Sequence, residues 1–345
     1  MHLLIAAVLL LPPFQAFTKP DSQASFRALA ATDRGVLCLS GNGPEVWISE
    51  DRGATWSNRT PGEGDVSDYR CVAIPNPDAS DPAVIVASAG SPAAILRSTD
   101  FGRSWKLVYF NRQEEAFIDG LQFWDEDRGI AFGDPLEGSF LLLKTEDGGL
   151  TWTELSCDVQ PLVGEAGFAA SNSSLALLQP ATVLIGLGGR VDGGASRILR
   201  SEDAGRSWTV HEVPSIPAGP SSGIFSISVR ADGFGYAVGG NYKEPDNRNG
   251  NIATTSDGGR SWEAAEAVPR GYRSSVLFAH SASSRGTSGR WVATGPSGTD
   301  ILRNGTWEAL KEGGFHALHL LRDGSVLASG ASGRAAILDL EIIED

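Results

Sequence analysis

Five aspartates stand in nearly identical surroundings along this 345-residue chain. Each has a Ser or Thr two positions before it, a Gly two positions after it, and a Ser or Thr followed by a Trp after four and five positions. The pairs are Asp51 with Trp56, Asp100 with Trp105, Asp147 with Trp152, Asp203 with Trp208, and Asp257 with Trp262. A carboxylate beside hydroxyl groups could act as a general acid or base. One catalytic centre does not need five equivalent carboxylates, so we interpret these residues as structural.

Other acidic residues could supply a different chemistry. Glycoside hydrolysis needs only two carboxyl groups at a suitable separation. The candidates for such a pair are Glu115, Asp119, Asp134 and Glu165. The chain contains no G-x-S-x-G, no H-E-x-x-H, no P-loop and no dinucleotide-binding fingerprint. The three cysteines show no metal-ligand spacing. We therefore assign no catalytic residue, expect no cofactor and no metal, and find no support for an oxidoreductase.

The repeated motif, S/T-x-D-x-G-x-S/T-W, has the composition of a tight turn. The Asp can accept backbone N–H groups within the turn, and the Gly can adopt a left-handed backbone conformation that other residues resist. The Trp begins the next strand, where its ring is expected to pack between neighbouring hairpins. The motif therefore predicts a β-hairpin.

The spacing of the motif predicts the architecture. Successive aspartates are 49, 47, 56 and 54 residues apart, and a shortened copy ends at Trp307. A repeat of about 50 residues is the size of one four-stranded propeller blade. The segments between motifs read as short strands separated by turns, without a helical pattern. We predict an all-β, seven-bladed β-propeller in which the motif joins the third and fourth strands of most blades.

The predicted blades extend over nearly the whole chain. Their bounds are 26–60, 67–111, 116–156, 164–214, 222–268, 271–311 and 314–345. The last blade lacks the motif. We expect residues 17–23, "FTKPDSQ", to supply its missing outer strand, which would close the ring and remove a free sheet edge.

The motif resembles the Asp-box, or BNR repeat, which recurs in sialidases, sortilin-type receptors, some endoglucanases and the photosystem II stability/assembly factor family. Repeated units such as "ILRSTDFGRSW" look most like the last of these. The segments "FWDEDRGIAFGDP", "SGIFSISVRADGFGYAVGGNY" and "GYRSSV" are similar to its bacterial relatives outside photosynthesis. The resemblance implies a binding or assembly scaffold whose partner is unknown. The alternative is a glycoside hydrolase or a glycan-binding protein, although the arginine-bearing motif of sialidases is missing near the start of the chain.

In a propeller the motif hairpins share one face, and the irregular loops surround the channel mouth at the other. Irregular loops on a rigid scaffold commonly carry function. The predicted binding residues at this mouth are Asp134, Asn241, Tyr242, Tyr272, Arg273, Arg190, Glu115 and Asp119. The same loops also carry Asp68, Arg70, Glu165 and His316. Arg273 is expected to clamp an anionic group of a peptide or a glycan. The alternative is a solvated rim tied by local ion pairs such as Arg273–Asp134.

The net charge and the N-terminal segment indicate which partners the protein excludes and where it is located. The formal net charge is −14, so nucleic acid and anionic membrane surfaces should be repelled. Residues 3–11 form an apolar run that is too short to span a bilayer and fits a secretory signal. We predict a signal peptide over residues 1–16 and one propeller domain over residues 17–345. The mature protein is expected to be an exported monomer without stable membrane insertion.

Overall fold

The computed structural model describes residues 18–62, 66, 68–280 and 288–340. The predicted signal peptide, Phe17 and residues 341–345 lie outside this part of the chain. All regular elements in the described part are β-strands, arranged in seven antiparallel sheets. Each sheet pairs strands that are consecutive in sequence; six sheets have four strands and the last has three.

The strands of the first three blades are β1 (Phe26–Ala31), β2 (Leu37–Gly41), β3 (Glu45–Ser49), β4 (Ser57–Asn58), β5 (Tyr69–Ala73), β6 (Val84–Ser88), β7 (Ala93–Ser98), β8 (Lys106–Asn111), β9 (Gly120–Phe123), β10 (Gly129–Leu136), β11 (Ser139–Thr145) and β12 (Thr153–Glu154). Those of the fourth and fifth are β13 (Leu175–Leu178), β14 (Thr182–Gly186), β15 (Ala195–Ser201), β16 (Thr209–Pro217), β17 (Ser222–Val229), β18 (Gly235–Asn241), β19 (Ile252–Thr255) and β20 (Glu263–Ala264). The last two contain β21 (Ser275–Ala279), β22 (Arg290–Gly295), β23 (Gly298–Arg303), β24 (Thr306–Ala309), β25 (Ala317–Leu320), β26 (Val326–Ser329) and β27 (Ala335–Leu338).

The sheets are arranged as the blades of a closed ring. The first strand of each blade contacts the first strand of the next, and β25 of the seventh blade contacts β1 of the first. The predicted seven-bladed β-propeller is therefore confirmed. One boundary differs, because β16 extends to Pro217, beyond the predicted end of blade four at residue 214.

Apolar side chains between neighbouring blades hold the ring together. Ile48 of blade one packs with Val84 and Val86 of blade two, and equivalent clusters fill each of the other interfaces. Burying one such side chain contributes about 1.5–3 kcal/mol. A blade has two apolar faces, so it can bury both only with a neighbour on each side.

The repeated motif forms the hairpin between the third and fourth strands in five blades. In the third blade, Asp147 Oδ1 accepts the Thr151 backbone N–H at 2.9 Å and Oδ2 accepts the Thr151 hydroxyl at 2.6 Å. Gly149 has φ +81° and donates its N–H to Thr145 Oγ1 at 2.9 Å. Trp152 packs in the apolar layer between blades two and three. These contacts confirm the turn chemistry predicted for the motif.

An Asp147→Ala variant should lose about 1–3 kcal/mol of unfolding free energy, since it leaves turn donors unpaired. Burial alone would raise the pKa of Asp147, but the hydrogen bonds from Thr151 and Thr145 outweigh it, and the pKa lies below its ordinary value. The lost contacts are therefore those of an ionised carboxylate. Urea unfolding measures the loss, with the exposed Asp158→Ala as control. Equal stability of the two variants would contradict a structural role for Asp147.

The ring does not close as the sequence predicted. Residues 18–25 form no strand, and the sheet of the seventh blade ends at β27 within the described residues. The segment instead links two turns: Thr18 donates its N–H to Gly53 O at 2.9 Å, and Ala24 O accepts the Gly333 N–H at 2.8 Å. Pro20 has no N–H for a ladder. The expectation of an outer strand from residues 17–23 is therefore wrong for the described residues 18–23.

Candidate functional site

A cavity of about 430 Å³ opens at one end of the channel. The first and third strands of a blade run in the same direction, so the starts of the innermost strands lie at the face opposite the motif hairpins. The lining residues cluster at these strand starts, and all seven blades contribute. We call this space the mouth cavity; it is lined by Arg27, Arg70, Phe117, Asp119, Asp134, Gly167, Phe168, Ala169, Ala170, Phe225, Tyr242, Tyr272, Pro296 and His316.

The floor of the mouth cavity is a segment of blade four, residues 169–174, that enters the channel. Asn172 Nδ2 donates to Val72 O of blade two at 2.9 Å, and Asn172 Oδ1 accepts the Leu121 N–H of blade three at 2.8 Å. Ser171 Oγ donates to Ser274 O, beside blade six, at 2.6 Å. The segment thus bonds to blades on both sides of the channel and crosses it below the cavity.

One wall of the mouth cavity is aromatic. Phe168 stacks on Phe225 with ring centroids 3.9 Å apart and an interplanar angle of 12°. Tyr272 meets Phe225 edge-on at 4.7 Å, and Tyr242 does so at 6.3 Å. Tyr242 is the outermost ring, 44% exposed. Phe168 and Tyr242 are the rings that a flat ligand group could contact, and both pack against the buried ring of Phe225.

The opposite wall is cationic. Arg70 pairs with Asp68, whose Oδ2 accepts the Arg70 Nε–H at 2.7 Å. Arg27 lines the cavity and forms neither a hydrogen bond nor an ion pair with any residue among those described. Burial and the neighbouring charge of Arg70 lower the pKa of Arg27, although a guanidinium remains protonated in proteins.

His316 lies beside these arginines and is uncharged. Burial, reinforced by the charges of Arg27, Arg334 and Arg70, lowers the pKa of His316 to about 3. The side chain is 7% exposed, and its Nδ1 has no hydrogen-bond partner in the described structure. Leaving a buried nitrogen without a hydrogen-bond partner costs about 1–3 kcal/mol. A ligand atom that forms a hydrogen bond with Nδ1 would remove this cost.

Asp119 and Asp134 form a carboxyl pair at the third blade. The two carboxyl groups are close enough to shift each other's pKa, and Asp119 Oδ2 has no hydrogen-bond partner within the described residues. Asp134 Oδ1 accepts the Gly167 N–H at 2.9 Å. Burial, followed by the charge of Asp134, raises the pKa of Asp119 well above its ordinary value. Burial also raises the pKa of Asp134.

This pair predicts a pH-dependent stability. The native state keeps a proton that the unfolded chain releases above an ordinary Asp pKa of 3.8. Stability should therefore fall as pH rises from there through the raised pKa of the pair, by at most about 1.4 kcal/mol per pH unit. Asp119→Asn should flatten this dependence, because the amide can donate to Asp134 without titrating. Urea unfolding between pH 4 and pH 9, with Asp158→Asn as control, measures this pH dependence. An unchanged slope in Asp119→Asn would refute the raised pKa of Asp119.

The structure brings four of the predicted binding residues into the mouth cavity. These are Asp119, Asp134, Tyr242 and Tyr272. Among the additional loop residues, Arg70 and His316 also line it. Their role in binding stays a prediction.

Arg273 does not face the channel, contrary to the sequence-based expectation. Its side chain is fully buried and pairs with Asp300, to which Nε donates at 2.9 Å. The anticipated alternative, an ion pair with Asp134, is likewise wrong. Successive side chains of an extended backbone point to opposite sides. Tyr272 therefore points into the cavity, and Arg273 points into the interior of blade six.

Three further predicted residues lie outside the cavity lining. Arg190 forms a two-pronged ion pair with Asp192, at 3.1 Å for each bond. Asn241 uses its side-chain oxygen to accept the Lys243 N–H at 3.0 Å. Glu115 is exposed to solvent. Local partners and loop direction therefore remove these side chains from the mouth.

Sequence reasoning missed Arg27, Phe168 and Phe225, which carry much of the character of the cavity. Arg27 is the second residue of β1, just as Arg70 is the second residue of β5. This shared position could have identified Arg27 from the sequence, because residues at the start of an innermost strand surround the channel mouth. Phe168 had no comparable signal, because its loop has no counterpart in other blades.

No group of three or more His, Cys, Asp or Glu side chains in the described residues is arranged to hold a metal ion. Across the same ranges, no helix has the length and apolar character required to cross a bilayer.

Comparison with known proteins identifies the fold. No family model and no curated protein matches the sequence. Similar solved structures include YCF48 bound to D1 peptide, with a TM-score of 0.62 and 16% identity over 97% of this chain and 99% of that chain. YCF48 from Cyanidioschyzon merolae has a TM-score of 0.63 and 13% identity over 95% and 99%. A virginiamycin B lyase from Staphylococcus aureus has a TM-score of 0.64 and 14% identity over 94% and 98%.

These similarities establish a propeller of the same overall architecture and nothing finer, since the identities are low. The set contains an enzyme as well as YCF48. The function must therefore be argued from the residues of this chain.

Proposed function

We propose that this protein is an exported, Asp-box-type propeller that binds a segment of another protein at the mouth cavity and acts as a scaffold in its assembly. The observation that carries the proposal is the lining of this cavity, where the unpaired Arg27 faces an aromatic wall built on Phe225. A charged group and a flat apolar group can be bound together there, a combination common in polypeptides. The likeness to YCF48 bound to D1 peptide supports the proposal.

The carboxyl geometry does not favour the glycoside hydrolase alternative. A retaining enzyme has carboxyl groups about 5–5.5 Å apart and an inverting one about 6.5–9.5 Å apart, whereas Asp119 and Asp134 are adjacent carboxyl groups that shift each other's pKa. Glu165 is buried in a two-pronged ion pair with Arg197, with one bond of 2.7 Å. A sugar that stacks on the aromatic wall without being cleaved is the remaining form of this alternative.

The test is capture of partners from the native cell envelope by the immobilised full chain. Wild type, Tyr242→Ser and Leu150→Ser are compared, because Tyr242 and Leu150 are both 44% exposed but lie at opposite faces. A protein captured by wild type and Leu150→Ser, and lost with Tyr242→Ser, supports the proposal. Equal capture by all three variants contradicts it. A glycan array probed with the same proteins identifies the sugar alternative if glycan binding is lost only in Tyr242→Ser.

Export is tested separately by mass spectrometry of the protein from fractionated native cells. An N-terminus near residue 17 in an envelope or extracellular fraction is the expected result. An intact Met1 in the cytoplasmic fraction would contradict export and leave the binding proposal to its own test.

A further inference from the structure

The floor of the mouth cavity restricts what can enter it. Residues 169–174 cross the channel with bonds to blades two, three and six, and a polypeptide that entered the cavity would meet this segment. The cavity volume of about 430 Å³ lies in the lower part of the roughly 300–1,000 Å³ range of small-molecule pockets. Any chain that fills the cavity must therefore turn back or end there, and a chain end occupies the smaller volume.

The arginines around the cavity differ in the hydrogen bonds and ion pairs that they already form. Arg70 is paired with Asp68. Arg334 donates to Gly314 O at 2.9 Å and to Glu312 O at 2.6 Å. Arg27, between them, has no such contact with any described residue. It is therefore the guanidinium with all its donors available to a ligand in the cavity.

His316 provides a second, independent indication of a ligand. Its ring is 7% exposed, lines the cavity and leaves Nδ1 without a partner within the described ranges. As an uncharged imidazole it can donate one N–H. A planar anion bound to Arg27 could accept this N–H as well, because Arg27 and His316 line the same cavity.

The aromatic wall and Arg27 face the same cavity. Tyr272, the ring that packs on Phe225, lines this cavity together with Arg27. A ligand whose anionic group sits at Arg27 would thus place its adjacent group against these rings. Because burial raises the pKa of Asp119 and of Asp134, these acids oppose a bound anion less than two exposed carboxylates would.

We propose, building on the proposed function, that the mouth cavity binds a free carboxylate carried next to an aromatic or other flat apolar group. Arg27 and His316 hold the carboxylate, and Phe168 and Tyr242 contact the neighbouring group. Two sources share this chemistry: the C-terminal residue of a polypeptide and a small aromatic acid. The floor segment and the unpaired donors distinguish such a ligand from an internal chain segment, which carries no terminal charge.

The experiment uses a pool of hexapeptides with the last three positions randomised, prepared once with free C-terminal carboxylates and once as C-terminal amides. Each pool is passed over the immobilised full chain, and retained peptides are quantified by mass spectrometry. Free acids ending in Phe, Tyr, Trp or Leu should be retained about 10- to 100-fold over the matching amides. Equal retention of acids and amides, or retention of neither, would overturn the proposal.

Arg27→Met should abolish the preference for acids over amides, and Arg260→Met is the matched control. Arg260 is 58% exposed at the hairpin face and pairs with Glu202, so its loss should leave retention unchanged. Loss of the preference in both variants would contradict a local role for Arg27. Circular dichroism of each variant confirms that it is folded, and the comparison of acids with amides on wild type does not depend on any variant.

Competition separates the two sources. If N-acetylphenylalanine displaces the retained peptides at a concentration similar to the peptides themselves, a small aromatic acid is sufficient; if it requires a far higher concentration, the polypeptide end is the ligand. A synthetic hexapeptide with the C-terminal sequence of a partner captured from the envelope, prepared as the free acid and as the amide, separates the two proposals. Capture of that partner that neither peptide reduces supports the proposed scaffold function and refutes the carboxylate site.

Discussion

An Arg273→Met variant is expected to lose about 3–5 kcal/mol of unfolding free energy, because it leaves a buried carboxylate without its principal partner. Asp300 has a fully buried side chain, and Arg273 donates to it from Nε at 2.9 Å and again from a second nitrogen. Arg273 also donates to Tyr272 O at 2.8 Å. Arg270 still reaches the other oxygen of Asp300 at 2.7 Å, so the loss should remain within this range. Urea unfolding monitored by tryptophan fluorescence provides the measurement.

The double variant Arg273→Met, Asp300→Leu controls for the buried charge. Replacing both members of a buried ion pair with apolar groups is often close to neutral, so this variant should recover much of the stability lost in Arg273→Met. Arg270 is 39% exposed and can then be solvated. If Arg273→Met were as stable as wild type but lost partner binding, Arg273 would be a ligand-binding residue, as the sequence first suggested.

Asn172→Ala should have a comparable effect, about 3–5 kcal/mol, through the floor of the mouth cavity. The substitution removes bonds to Val72 O at 2.9 Å, to Leu121 O at 3.2 Å and from the Leu121 N–H at 2.8 Å. Each buried backbone group left without a partner costs about 1–3 kcal/mol. Asn172 also has φ +59°, a conformation that Asn adopts more readily than Ala. Urea unfolding and peptide retention should both be impaired.

Asn172→Gly distinguishes the two contributions, since Gly tolerates the positive φ but makes none of the side-chain bonds. It should recover only about 1 kcal/mol relative to Asn172→Ala. Full recovery in Asn172→Gly would mean that backbone conformation, and not the bonds between blades, holds the floor. Wild-type stability in Asn172→Ala would contradict the structural role of the floor segment.

The sequence predicted the propeller because its determinants are local. In each repeated motif the bonding partners lie within four residues of one another, as between Asp147 and Thr151. Two successive residues of the turn are left-handed, and the second of them is a Gly in every copy. Such a turn forms in the same way in the five blades that carry the motif, so five copies at a nearly constant spacing determined both the hairpins and the repeat.

The same reasoning placed four of the predicted binding residues around the mouth cavity but misplaced others. Loops opposite the hairpins had to surround the channel mouth, and Asp119, Asp134, Tyr242 and Tyr272 do line the cavity there. Loop membership does not determine which way a side chain points. Glu115 belongs to these loops and is nevertheless directed to solvent.

Only the tertiary structure decided which partners the charged and aromatic groups acquire. Arg273 pairs with Asp300, 27 residues away, and not with Asp134. The stacked pair Phe168 and Phe225 comes from two different blades. Arg27 remains unpaired because Asp68, the nearby acid, bonds to Arg70. These outcomes depend on the register and rotation of neighbouring blades, which bring together residues far apart in sequence, and no pattern of residue types within one repeat encodes that alignment.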